Sequence, residues 1–130
     1  MLTLSLFGGA YLGGGETPLT GRIVQRRRLA LLALLASSRD RPVSRDKLIA
    51  YLWPESGATS ARHSLSDSVH VIRKAVGEEA ILAERDDLRL DPAALTCDVW
   101  DFEAALEAGD LERAVGLYAG PFLDGFFIGR

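Results

Sequence analysis

The sequence predicts an α+β chain: a small N-terminal antiparallel sheet, three helices and a β-hairpin, then a pair of short helices. Three observations carry this expectation. Leu2, Leu4 and Leu6 alternate with Thr3 and Ser5, the period of a half-buried strand. Leu65, Val69, Ile72 and Val76 recur at helical spacing within one narrow stripe. Ile81–Glu84 and Leu88–Leu90, separated by Arg85-Asp86-Asp87, have the form of a hairpin, though a weaker one than Asn-Gly would signal.

In chain order, Gly8-Gly9 breaks the first strand, Ala10-Tyr11-Leu12 can form a second, and Gly13-Gly14-Gly15 turns the chain again. Pro18-Leu19-Thr20 offers a short third strand. No Gly-Lys-Ser/Thr follows the glycine run, so it reads as a turn and not as a phosphate loop. From Gln25 to Ser37 the run QRRRLALLALLAS consists of strong helix formers. Leu29, Leu32 and Ala36 share a face that Leu31, Leu34 and Leu35 widen, so this helix is expected to be largely buried. Arg26, Arg27 and Arg28 stand in its first turn, where the helix dipole disfavours cations. Such residues are ordinarily solvated, and a nearby phosphate would compensate them.

Ser44 is a suitable N-cap for a second helix with the apolar face Leu48, Ile49, Leu52 and Trp53, ended by Pro54. Thr59 or Ser60 is expected to cap the third helix, which runs to about Val76 and stops at Gly77. Opposite its apolar stripe lie His63, Ser66, Asp67, His70, Val71 and Lys74, with Arg62 and Arg73 on a flank. Beyond the hairpin, Asp98, Val99, Phe102 and Leu106 mark one helix. Gly109-Asp110 breaks it, and Leu111, Ala114, Val115 and Tyr118 mark another.

With 48% hydrophobic and 25% charged residues, the composition is that of a globular protein. The single cysteine, Cys97, excludes an intrachain disulfide and suits a reducing compartment. The longest apolar stretch, Leu29 to Ala36, is too short for a membrane span, and residues 1–15 show no secretion signal, so the cytoplasm is the expected location. The net charge of −3 hides a split. Residues 1–77 carry eleven basic and five acidic residues; residues 78–130 carry four basic and thirteen acidic ones. A basic N-terminal part suits a polyanion. On charge alone, two solvated surfaces are the plainer reading.

Small sheet, three helices, then a hairpin directly after the third helix: this order is the logic of a winged helix-turn-helix. Its third helix can lie in a major groove while the hairpin touches the backbone beside it. The stretch RRRLALLALLASSRDRPVSRDKLIAYLWPES, with ARHSLSDSVHVIRKAVG and LRLDP, resembles the OmpR/PhoB-type winged helix. More specifically, it resembles the branch in which that domain precedes a bacterial transcriptional activator domain, as in antibiotic regulatory proteins. CDVWDFEAALEAGDLERAVGLYAGPFLDGF is similar to the start of that activator domain, a tetratricopeptide-like helical array. Residues 1–95 would then be the winged helix and residues 96–130 the truncated start of the array.

The resemblance implies sequence-specific binding of double-stranded DNA, in head-to-tail pairs on repeated half-sites, coupled to transcription in a bacterial signalling regulator. RNA polymerase or further helical-repeat or signalling domains would be its protein partners, and no cofactor or membrane is called for. The helix from Ser60 to Val76 would be the recognition helix, with Arg62, His63, Ser66, Asp67, His70, Arg73 and Lys74 as candidate contacts. Arg45, just after the Ser44 cap, and Arg85, at the hairpin tip, complete the set. Two departures from relatives remove positive charge from this interface: Ser66-Asp67 and Val71 on the helix, and Asp86-Asp87 at the wing tip.

Each candidate has a plainer reading. Arg62, Arg73 and Lys74 either neutralise phosphates or form an ordinary polar helix face. Asp67 could accept from a cytosine amino group or select against wrong sites, and Val71 could touch a thymine methyl or pack under the wing. His63 and His70 have no third ligand at metal spacing and read as surface or DNA-facing histidines. Trp53 and Trp100 read as core. Cys97 has no His partner and the serines no nucleophile-elbow context, which argues against an enzyme. The competing reading is a winged helix used as a protein-interaction adaptor, favoured by the acidic wing tip and Asp67. Finally, Phe122, Leu123, Phe126, Phe127 and Ile128 are expected either to fold back on the preceding helices or to leave an apolar patch, with Phe122 and Leu123 assigned to fold-back.

Overall fold

The computed structural model describes residues 2–14, 17–18, 26–39 and 41–123. The alternating N-terminal leucines form β1 (Leu2–Ser5), which pairs antiparallel with β2 (Tyr11–Gly14), and β3 (Thr17–Pro18) adds to β2. Leu4, Leu6 and Leu12 point into the core. Leu19 and Thr20 lie outside the described residues. The expectation of a purely antiparallel sheet is corrected: Leu95–Cys97 forms a further strand that runs parallel to β1 on its free side. Three residues with only Leu95 and Cys97 facing inward are too short to display a period. The boundary expected between residues 95 and 96 falls inside this strand.

Leucine and alanine bury most of α1 (Arg26–Ser37), from Leu29 to Leu32 around to Leu35 and Ala36. An unforeseen two-residue strand, β4 (Val43–Ser44), precedes α2 (Arg45–Leu52). Ser44 caps α2 as expected, its Oγ accepting the Lys47 N–H at 3.1 Å. The third helix, α3 (Ala58–Val76), begins earlier than Thr59 or Ser60 would have capped it. Gly57 takes the N-cap place with extended backbone and no side-chain cap, and its carbonyl accepts the first helical hydrogen bond, from the Ala61 N–H at 2.9 Å. Leu65, Val69 and Ile72 of the stripe that the spacing predicts are buried, Val76 is partly buried against the core, Ala61 adds to the buried face, and Gly77 (φ 135°) ends the helix.

The hairpin consists of β5 (Ile81–Glu84) and β6 (Asp87–Leu90), joined by Arg85-Asp86. β4 pairs with β6 on the other side, giving the order β4-β6-β5, while the strand Leu95–Cys97, β7, completes the order β3-β2-β1-β7 in the first sheet. Ile81, Leu88 and Leu90 join the leucines of α1, α2 and α3 in one core.

Of the helical pair, α4 (Asp98–Glu107) packs on β1 and β7 of the N-terminal sheet, and α5 (Leu111–Leu117) packs on α4. Phe7 sits between Phe102 and Tyr118, with ring centroids 5.1 and 5.2 Å away. The indole N–H of Trp100 donates to the Ala36 carbonyl at 2.9 Å and ties α4 to the end of α1. Asp98 is buried, and its carboxylate accepts the main-chain N–H groups of Leu6 (2.8 Å) and Phe7 (3.0 Å). Two glycines meet back to back nearby. A Cβ on Gly120 would stand 3.1 Å from the Cα of Gly8, whose own φ is 80°. Leu123 folds back as expected, donating its N–H to the Leu6 carbonyl at 2.7 Å and packing on the core. Phe122 follows only with its backbone, which bridges Phe7, while its side chain stays 47% exposed. Phe126, Phe127 and Ile128 lie outside the described residues. No described helix is long and apolar enough to cross a membrane.

Cys97 is fully buried, and its burial, reinforced by the charge of Asp98, pushes the thiol up to about 12. The folded state therefore favours the protonated thiol, and this contribution to stability declines as pH rises from the ordinary thiol value toward 12. At pH 8 a disulfide reagent is expected to label Cys97 only as fast as the chain unfolds. Rapid labelling of the native protein would contradict the packing of β7 and α4.

Candidate nucleic-acid interface

Helical spacing decides which candidate residues point outward. His63, Ser66, His70 and Lys74 are exposed and follow one another at three- and four-residue steps along the outer face of α3. Val71 is buried, so it takes no part in this strip. Arg45, Ser66, His70, Arg73 and Glu78 line one shallow concavity of about 160 Å³ that joins the start of α2, the middle of α3 and the turn before the wing.

Three of the expected contacts already have internal partners. Arg62 reaches across to both neighbouring elements, with Nη2 2.9 Å from Asp46 of α2 and Nη1 3.4 Å from Asp86 at the wing tip. The hydrogen bond and charge of Asp86, with the charge of Asp46, hold this guanidinium above its ordinary value. Arg73 donates Nε and Nη2 to the carbonyl of Ile81, at 3.2 and 2.7 Å. It therefore anchors the edge strand of the wing to α3. Asp67 accepts from the buried Arg28 at 3.0 Å, so its carboxylate is aimed at α1 and not at a base edge. Arg28 thereby gains the partner that a buried cation requires.

The wing is fixed at both ends. At its base stands the Arg73 fork; at its tip the Asp86 carbonyl accepts the Arg45 N–H at 3.0 Å. Arg85 adopts φ 58°, a left-handed conformation that a two-residue hairpin loop demands of its first central residue and that glycine meets at lowest cost. Arg27, Arg45, Lys74 and Arg85 have no carboxylate partner among the described residues. They are the cations of this side open to an external anion. Asp46 and Glu78 were not singled out from the sequence, because an acid in a helix first turn or in a loop reads as ordinary surface. Among the described residues no cluster of His, Cys, Asp or Glu could hold a metal ion.

A three-helix core, an α2–α3 corner and a hairpin pinned beside α3 define a winged-helix regulator fold. Residues 23–86 match the family described as "Transcriptional regulatory protein, C terminal", so the chain carries an OmpR/PhoB-type winged-helix domain of that family. It is homologous to the transcriptional regulatory protein EmbR of Mycobacterium tuberculosis and Mycobacterium bovis, with 32% identity over 123 residues. The match takes in 90% of this chain and 31% of those proteins, so the chain spans about a third of their length. The structure of Mycobacterium tuberculosis EmbR in complex with a low-affinity phosphopeptide aligns with a TM-score of 0.73 at 29% identity, over 96% of this chain and 38% of that one.

Proposed function

We propose that this chain is the DNA-reading part of a bacterial transcription regulator, in which the outer strip of α3 enters the major groove and the wing lies on the adjacent backbone. One observation carries the reading: His63, Ser66, His70 and Lys74 form a continuous exposed strip on the helix that the wing and α2 brace from both sides. Arg45 and Arg85 stand at the ends of the bracing elements, where phosphates flank a groove. The pair α4–α5 is the first step of a tetratricopeptide-like array. Leu111 and Val115, 65% and 74% exposed, are the apolar positions a following helix would cover. Head-to-tail pairing on repeated half-sites and contact with RNA polymerase belong to the same reading.

The test is an anisotropy titration against duplex genomic fragments at several salt concentrations. With about four phosphates contacted, the log–log slope is expected near −4. His70→Ala and Ser66→Ala are expected to change the ranking of sites, a lost base contact being worth about 1–3 kcal/mol. A flat slope or no binding at low salt would favour the adaptor reading, which the neutralisation of Arg62 by Asp46 and Asp86 supports.

A further inference from the structure

The two strands of the wing are held unequally. β6 has a strand on each side, β4 and β5, whereas β5 stands at the edge of its sheet. Ile81 at the base of β5 is buried, while Ala83 and Glu84 toward the tip are exposed. A fork of hydrogen bonds ties that base to α3: Arg73 donates Nε and Nη2 to the Ile81 carbonyl, at 3.2 and 2.7 Å. Both donors belong to one planar guanidinium, so the pair fixes direction as well as distance. Arg85 follows β5 directly, exposed and at φ 58°. An arginine at a turn position that glycine fills at lowest cost is strained, and strain of this kind is kept where the side chain has a task.

We propose that Arg73 is a positioning residue for DNA binding that acts through Arg85: its fork holds the wing at the angle to α3 that sets the Arg85 guanidinium on a backbone phosphate. The inference rests on the DNA reading above, because the position of the phosphate follows from α3 lying in the groove. The lever is long enough to matter. At about 3.3 Å per residue, Arg85 stands roughly 13 Å along the strand from Ile81, so a swing of about 10° at the base carries the tip by roughly 2 Å. A hydrogen bond made at about 2.7–3.2 Å does not survive such a shift. On this reading Arg73 touches no phosphate itself. Its charge serves the Ile81 carbonyl, and its contribution to affinity appears at the other end of the strand.

Salt titrations and phosphate-ethylation interference on one duplex decide the matter, each variant first being shown to be folded at the assay temperature. Arg85→Ala is expected to weaken binding about eightfold at 0.1 M salt and to flatten the log–log salt slope by about 0.9, one phosphate contact's worth. Arg73→Ala should do the same and erase the same ethylation position. Arg73→Ala/Arg85→Ala should lose no more than either alone. Arg73→Lys keeps the charge but cannot present two parallel donors, so it should match the alanine variant, and it carries the comparison if that variant does not fold. Lys74 stands on α3 itself, so the losses in Arg73→Ala/Lys74→Ala should add. Were those to merge as well, the damage would be general and the proposal would fail. An Arg73→Ala/Arg85→Ala slope flattened by about 1.8, or a slope restored by Arg73→Lys, would overturn it too, because Arg73 then meets a phosphate of its own; the DNA reading would stand. Arg73→Ala binding like the unaltered chain has the same consequence. If the unaltered chain binds no DNA, both fall together.

Discussion

Asp98→Ala is expected to lower the stability of the folded chain by about 3 kcal/mol, the lower end of the range for losing two buried hydrogen bonds to a charged acceptor. The carboxylate serves the N–H groups of Leu6 and Phe7, which lie just past the end of β1. Alanine strands both donors in a buried site. It also loosens Phe7 between Phe102 and Tyr118, so the loss reaches the contact between the sheet and the helical pair. In a chain of this size the melting temperature should fall by roughly 10 °C. Asp98→Asn keeps one acceptor oxygen and should lose about half as much. An alanine variant that melts within about 2 °C of the parent would show that water or a rearranged loop satisfies those groups as well as the carboxylate does.

The second large effect concerns binding. Replacing Asp46 and Asp86 together by Asn is expected to raise DNA affinity roughly tenfold at low salt and to steepen the salt slope by about 0.9. In the free protein, Arg62 spends its charge on those two carboxylates. Moreover, both acids stand where a duplex backbone would pass, one at the start of α2 and one at the wing tip. The substitutions remove two repulsive charges and release one arginine toward a phosphate. Arg62→Ala in the otherwise unaltered chain should then matter little, because the residue is neutralised before DNA arrives. Unchanged or weaker binding by the double variant would mean that the three-way bridge orients the wing for docking and that its charge is secondary.

The parts of the fold readable in the sequence were those with long or repeated patterns. The four-membered stripe from Leu65 to Val76, the leucine alternation at the N-terminus and the Ser44 cap all act within a few residues, where spacing alone conveys the geometry. β4 and β7 escaped because two or three residues cannot show a period; their existence depends on partners dozens of positions away. The same limit governs the interface. The outward direction of His63, Ser66, His70 and Lys74 follows from a helical wheel. The engagement of Arg73 with Ile81, Asp67 with Arg28 and Arg62 with two acids does not. An exposed guanidinium on a helix flank looks identical in sequence whether its partner is a phosphate, a carbonyl or a carboxylate. The three arginines of α1 were visible as a cluster, yet only the folded chain sets Arg28 against Asp67 of α3.

The parallel contact of β1 with β7 pairs Leu2 with Leu95, and the carboxylate of Asp98 that seals it reaches Leu6, 92 positions away. Closing so long a loop costs conformational entropy before any contact offsets it, so local elements such as the hairpin and the α2–α3 corner should assemble first. During synthesis, β1 leaves the ribosome long before β7 and waits for the intervening residues before its second edge is covered. Until then it presents an unpaired row of amide and carbonyl groups, the kind of edge on which nascent chains associate wrongly. The short length of β1, four residues, limits that exposure.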